Sequence, residues 1–406
     1  MTNLRDYIIV TASYWVFTLT DGALRMLVLL HLHQLGHSPL EIASLFLLYE
    51  TFGVLTNFFG GWIGARHGLG RTLLMGLALQ VVACGLLAGP SSWLTIPLLM
   101  LVQALSGVAK DLTKMSSKSY IKLVVPEGDS RGLLKWVAIL TGSKNTLKGC
   151  GFFSGGALLA AVGLQTTCAA MAIALLATLL GAAFSLPPGV GKSRRSPSLS
   201  DLVPRDARIR WLSFARMLLF GARDAWFVIG LPLFLSTELG WTHAQVGGFL
   251  ALWIIGYGIM QASAPRLLRR ADGRVLHARE LGLWTVALVL PIIGIAIAMQ
   301  VELAVELSLV SGLMIFGLIF AVCSALHSFL IIDYAEGDKV ALRVGFYYMA
   351  NALGRLLGTV ISGAVYQAGG QGAKGLLACL VISCAMVLAS SAACYRLRRE
   401  ERASLR

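Results

Sequence analysis

The sequence predicts an all-α membrane protein of twelve transmembrane helices, arranged as two pseudo-symmetric bundles of six. Three observations predict it. The 406 residues are 57% apolar and only 13% charged, with a mean hydropathy of +0.75; soluble domains hold about 45–50% apolar and about 25% charged residues. Apolar windows long enough to cross a hydrocarbon core of about 30 Å recur along the whole chain. The two halves also repeat one pattern. Asp21 precedes Leu35-Gly36-His37-Ser38-Pro39, and Asp224 precedes Leu239-Gly240-Trp241-Thr242-His243, each an acid in a span followed by a Leu-Gly end and a new helix start.

Span 1 covers 7–33 and carries Asp21 and Arg25. It lacks a small-residue cleavage site, so it is expected to stay as a first helix rather than be removed as a signal peptide. Span 2 (40–65) carries Glu50 near its middle, a candidate proton carrier in competition with Asp21. Burial can raise a carboxylate's proton affinity into the working range. Span 3 (72–90) is uncharged. Span 4 (93–113) begins a lysine ladder, Lys110, Lys114, Lys118 and Lys122, with Asp111 beside it. The first two read equally as an inner-mouth collector of anions or as a solvated face, and the last two as a solvated extension. Span 5 (132–160) holds Lys144 and Lys148, one turn apart on one face. Span 6 (163–186) is uncharged.

Pro187-Pro188-Gly189, followed by Lys192, Arg194, Arg195 and Pro197, reads as a solvated linker. The domain organisation is therefore 1–186 for the first bundle, 187–208 for a cytoplasmic linker, 209–396 for the second bundle and 397–406 for a tail. Span 7 (209–235) carries Arg216, Arg223 and Asp224, with Arg216 expected to snorkel or line an entrance. Spans 8 (243–265) and 9 (281–300) follow, then span 10 (305–331) with His327, read with His31, His33 and His37 as an interfacial or packing residue. Span 11 (344–368) sets Tyr348, Asn351 and Arg355 on one face beside Tyr347, suited to hydrogen bonding with a solute or to aromatic packing. Span 12 (372–395) has only Lys374 at its outer end.

Lysine and arginine crowd the connections after spans 2, 4, 6, 8 and 10 and the tail, which places both termini in the cytoplasm. The net charge of +14 is thus a membrane-topology signal; no basic, aromatic-interleaved stripe suggests nucleic acid. The seven cysteines stand singly, without a CxxC pair, and read as small buried hydrophobes. No nucleophile–base set or metal-ligand spacing marks an enzyme, and neither a metal nor a cofactor is expected.

Cations at membrane depth are costly and mark functional sites. Arg25, Lys144, Lys148, Arg223 and Arg355 outnumber Asp21, Glu50 and Asp224. At about 1.5 Å per residue, Asp21, Lys144, Arg223 and Arg355 share a zone roughly 17–21 Å from the cytoplasmic helix starts. The excess points to an anionic solute gripped by both halves, with arginine offering a bidentate fork and lysine a point charge. The alternative is internal neutralisation, Asp21 with Arg25 and Asp224 with a neighbouring cation. Lys144, Lys148 and Arg355 have no acid on their own helix, which favours substrate contact for them.

The twelve spans, the basic central linker and the loop Gly61-Trp62-Ile63-Gly64-Ala65-Arg66-His67-Gly68-Leu69-Gly70-Arg71 resemble the major facilitator superfamily, whose loop usually reads G-x-x-x-D-R-x-G-R-R. Gly61, Arg66, Gly68 and Arg71 would form its conformational loop, while Ala65 stands where the superfamily has an acid. Gly151-Phe152-Phe153-Ser154-Gly155-Gly156 has the glycines of the antiporter motif without its proline. In such a fold spans 1, 4, 7 and 10 line the cavity and 3, 6, 9 and 12 face lipid, in agreement with the charge-free interiors of the latter. The strings from Tyr14 to Leu27, Gln103 to Leu112 and Thr141 to Asn145 are similar to organoarsenical-efflux permeases of the ArsJ type.

That resemblance implies secondary-active export of 1-arseno-3-phosphoglycerate by alternating access, arsenate resistance, a functional link to glyceraldehyde-3-phosphate dehydrogenase, and a monomer in the bacterial inner membrane. The residues alone imply an anionic solute. Alternatives are an organophosphate or other organic-anion exchanger of the same superfamily, or a drug/proton antiporter, which would prefer acidic and aromatic cavities.

Overall fold

A computed structural model describes residues 2–34, 39–126, 128–187, 189–193, 197–268, 277–336 and 339–404, with side chains described there except at 2–4, 29–34, 39–50 and 243–244. Among these residues there are fourteen α-helices, two short 3-10 turns and no strand. The helices are α1 (Thr2–Gln34), α2 (Pro39–His67), α3 (Leu69–Leu87), α4 (Ile96–Val124), α5 (Ser130–Val162), α6 (Leu164–Ser185), α7 (Ala207–Phe227), α8 (Gly230–Thr237), α9 (His243–Leu267), α10 (Ala278–Ala287), α11 (Val289–Gln300), α12 (Val305–Tyr334), α13 (Val340–Ala368) and α14 (Gly372–Ser404).

Twelve spans become fourteen helices because spans 7 and 9 are each broken, after Phe227 and at Leu288. Both breaks have one cause. A proline lacks the N–H that bonds the carbonyl four residues back, and its ring crowds that carbonyl. Pro232 and Pro291 lie four residues after Val228 and Ala287, where the helices stop. Around the first break, the Gly230 N–H finds a replacement acceptor in Ser362 Oγ at 3.2 Å. Helix starts are set by side-chain caps: Asp129 accepts from the Gly132 N–H at 2.8 Å, and Asp206 from the Arg208 N–H at 2.8 Å.

The chain divides into two compact units. Unit 1 comprises 1–136, 143–203 and 335–349; unit 2 comprises 137–142, 204–334 and 350–406. In unit 1, α3 packs on α4 and α6, and α1 and α2 pack on α4. Gly76 allows the closest part of the α3–α4 contact, since a methyl group there would meet Thr113 and the Ala109 carbonyl. The core is aliphatic, with Leu24, Leu27, Leu69, Leu73, Leu77 and Leu87 all shielded.

The loop between α2 and α3 turns at Gly68, whose φ of 94° favours glycine. It holds the linker by three hydrogen bonds: Trp62 Nε1 to the Pro197 carbonyl (2.9 Å), Ser193 N–H to the Ala65 carbonyl (2.8 Å) and Leu69 N–H to the Val190 carbonyl (2.8 Å). Arg66 lies 5.0 Å over the Trp62 ring, and Arg71 is exposed. Gly61 lets the start of α13 approach, because a methyl group on it would stand 2.7 Å from the Ala341 carbonyl.

Unit 2 is more aromatic. Trp226, Trp253, Phe316 and Phe320 are buried, with edge-on contacts of 5.3 Å for Trp226–Phe316 and 6.2 Å for Trp226–Trp253. Trp253 donates Nε1–H to the Leu313 carbonyl at 2.9 Å. Trp253→Phe is expected to cost about 1 kcal/mol, the usual worth of one intramembrane hydrogen bond, measured by reversible unfolding in mixed micelles. Large apolar side chains remain exposed along α6, α11 and α14, among them Phe184, Leu290 and Val381. These are surfaces suited to lipid.

Candidate functional site

In unit 1, Asp21 is buried on α1 and faces Lys148 of α5, with Nζ 4.0 Å from its carboxylate. Ser106 of α4 donates to the same carboxylate at 3.3 Å. Backbone proximity makes this possible. A methyl group on Gly22 would stand 2.7 Å from the Lys148 carbonyl, and Gly151 and Gly155 likewise let α1 close upon α5. The Trp15 indole bonded to Ser143 Oγ at 2.9 Å ties the same two helices together.

Arg25, Lys144 and Lys110 lie within electrostatic reach of Lys148. Lys144 also donates to Asn145 Oδ1 at 3.2 Å. Lys148, the cation printed against Asp21, thus stands among cations from three helices. The side chain of Glu50 lies outside the described residues.

Unit 2 builds the same device. Asp224, 1% exposed on α7, receives Arg223 at 2.5 Å on one carboxylate oxygen and Arg355 of α13 at 3.2 Å on the other. Glycines again mark the crossing: methyl groups on Gly354 and Gly358 would collide with the α7 backbone at Met217 and Gly221. The acid on the first helix and the cation on the fifth helix of each half therefore form repeat-related pairs, Asp21–Lys148 and Asp224–Arg355. Lys144 and Asn351 stand one turn before the respective cations.

Arg216 differs from its sequence expectation. It does not snorkel; it is 3% exposed and held by Asn351 Oδ1 (2.9 Å) and Ser324 Oγ (3.0 Å). Gln261 donates to the same Ser324 hydroxyl at 3.0 Å. Arg216, Phe220, Arg223 and Phe227 share one face of α7 by their spacing of four, three and four. The Phe220 ring is contacted by both guanidinium groups, at 3.8 Å for Arg216 and 5.0 Å for Arg223. His327 is fully buried in the same region.

The lysine ladder is also more structured than a solvated face. Lys114 bonds Asp111 at 2.5 Å, and Lys110 stands 3.8 Å from the same acid. Lys118 is 4% exposed and bonds the Tyr348 hydroxyl, while Lys114 lies 4.6 Å over the Tyr348 ring. Tyr348 thereby belongs to unit 1, whereas Asn351 and Arg355 belong to unit 2. The single face expected for these three residues is divided between two environments. Lysine periodicity alone could not reveal the burial of Lys118, because its partner comes from a helix more than two hundred residues away.

Residues 10–328 match the family model described as Major Facilitator Superfamily. Solved structures with the same fold include the E. coli fucose:proton symporter (13% identity, 97% of this chain and 99% of that one, TM-score 0.75). The human organic anion transporter MFSD10 aligns at 16% identity over 97% and 99% of the two chains, with a TM-score of 0.73. A bacterial homologue of the iron transporter ferroportin gives the same identity, coverage and TM-score. A search of curated protein sequences finds no match.

Proposed function

This chain belongs to the major facilitator superfamily, and on that premise we propose that it exports an anionic organoarsenical, 1-arseno-3-phosphoglycerate, by alternating access. That it is a membrane transporter rather than an enzyme follows from the family. The substrate is our reading, and one observation carries it: in each unit the membrane-buried cations exceed the acids among the described residues. Arg25, Lys110 and Lys144 lie within electrostatic reach of Lys148, which faces Asp21, and Arg223 and Arg355 share Asp224. Ammonium and guanidinium groups suit hard oxyanions such as phosphate and arsenate. A cationic drug would meet repulsion there.

The long strings on spans 1, 4 and 5 that resemble arsenical permeases supply the arseno-ester, and they include Asp21, Arg25, Lys110 and Lys144. On this reading Arg25, Lys144, Lys148, Arg223, Arg355, Tyr348 and Asn351 bind substrate, and Lys110 and Lys114 collect it. The protein would act in the bacterial inner membrane with both termini cytoplasmic. Its substrate would come from a glyceraldehyde-3-phosphate dehydrogenase that accepts arsenate in place of phosphate.

Cells lacking other arsenic pumps are expected to gain resistance to arsenate but not to arsenite when they express this chain, and only in the presence of such a dehydrogenase. Growth curves in the two oxyanions decide it. Equal protection against arsenite overturns the reading, because arsenite calls for thiolate ligands rather than buried cations. Uptake of 3-phosphoglycerate by inverted vesicles, without arsenate resistance in cells, would favour an organophosphate exchanger instead.

A further inference from the structure

Arg216 ties three helices of unit 2 together. Its Nε donates to Asn351 Oδ1 of α13 at 2.9 Å, and its Nη1 donates to Ser324 Oγ of α12 at 3.0 Å. Gln261 of α9 donates to the same Ser324 hydroxyl at 3.0 Å, so that acceptor is shared by two donors. The Phe220 ring, one turn along α7, lies 3.8 Å from the guanidinium. Only 3% of Arg216 is exposed. A buried group held on this many sides keeps one orientation, because a well-bonded polar network is rigid.

That orientation decides what Asn351 can offer. A guanidinium has five N–H donors and no acceptor, whereas a carboxamide has one acceptor oxygen and one NH2 group. The Asn351 atom that meets Arg216 must therefore be the oxygen, which settles an amide orientation otherwise open to a flip. Nδ2, with its two hydrogens, is turned away from the guanidinium. Asn351 is partly exposed, unlike Arg216. Arg355 stands one turn further along the same face of α13, and it too can only donate.

From this geometry, and resting on the anionic-substrate reading above, we propose that Arg216 is a positioning residue that fixes Asn351 as a hydrogen-bond donor to the solute. An amide able to turn would offer its oxygen as readily as its nitrogen, and would welcome hydroxyl or ammonium groups. Locked by Arg216, it selects groups that only accept, such as ionised phosphate, arsenate or carboxylate. Arg216 acts through Asn351 and does not itself touch the solute. Specificity then comes from a cation that the solute never meets.

The test uses the purified full-length protein and 3-phosphoglycerate, with affinity read by titration calorimetry and folding by melting temperature. Asn351→Ala is expected to weaken binding about tenfold, the worth of a hydrogen bond to a charged group. Asn351→Asp keeps an oxygen for Arg216 but turns a second acceptor toward the solute, and should weaken binding further. Arg216→Gln, which can donate or accept, lets the amide turn and should lose much of the same factor. Arg216→Lys offers donors alone and should retain more affinity than the glutamine variant. In the Asn351→Ala background Arg216→Gln should bring no further loss, since its effect runs through the amide.

Losses that add, or a lysine variant weaker than the glutamine one, overturn the positioning role. So does an Asn351→Asp variant that binds as tightly as the wild type. Because that variant leaves Arg216 its acceptors, it decides the question even where the Arg216 variants do not fold. Absence of any 3-phosphoglycerate binding to the wild type overturns the anion reading itself and the donor role with it, a result distinct from binding that ignores Asn351.

Discussion

Replacing Asp224 by alanine is expected to destabilise unit 2 by about 3–5 kcal/mol, the cost of leaving buried charge without its partner. Asp224 is 1% exposed, and its two oxygens are divided between Arg223 and Arg355. Alanine would leave the largely shielded Arg223 and the partly exposed Arg355 without their carboxylate and remove the link between α7 and α13. Reversible unfolding in mixed micelles measures the loss. Asp224→Asn should cost less, because its amide oxygen still accepts from one arginine.

The double variant Asp224→Ala with Arg355→Met is expected to recover much of the stability lost by Asp224→Ala alone. Methionine removes one of the two stranded charges and fills similar volume. The non-additivity of the cycle isolates the pair. Simple additivity would mean that Arg355 is neutralised by something other than Asp224.

Gly354→Leu is expected to abolish folding outright, with no protein recovered from the membrane in a monodisperse state. A methyl group at Gly354 would already overlap the Met217 backbone, and one at Gly358 would stand 2.5 Å from the Gly221 carbonyl at the same crossing. Backbone cannot move aside as a flexible side chain can, and even ordinary overpacking costs about 1–3 kcal/mol. Gly354→Ala is expected to give folded but less stable protein, its melting temperature lowered in detergent. Gly85, with no atom near its missing side chain, is the control: Gly85→Ala should be tolerated. Equal tolerance at Gly354 would show that α7 and α13 do not pack as closely as described.

The twelve spans and the membrane class were legible because lipid imposes a local rule. Each segment that crosses must be apolar over about 20 residues, whatever its neighbours are. The two helix breaks were legible in principle, since Pro232 and Pro291 announce themselves by chemistry alone; a hydropathy window averages over them and reads one span. Charge counting likewise found Asp21, Lys148, Asp224 and Arg355 as singular residues without needing their partners.

Partnership was a different matter. Lys148 and Arg355 have no acid on their own helices, and the structure supplies one from a helix more than a hundred residues away in each case. Arg216 and Lys118 looked accessible by their distance from the helix starts, yet they are enclosed by Ser324 and Asn351 and by Tyr348. Depth along a helix depends on the residue number, so the sequence by itself set which charges fall deep within long apolar segments. Which face a charge turns inward, and which other helix waits there, depends on the packing of helices remote in sequence. Only the tertiary structure decided that Asp21 and Asp224 hold matching cations at glycine crossings, because a salt bridge needs a few ångströms between two side chains and the chain's order does not set that distance.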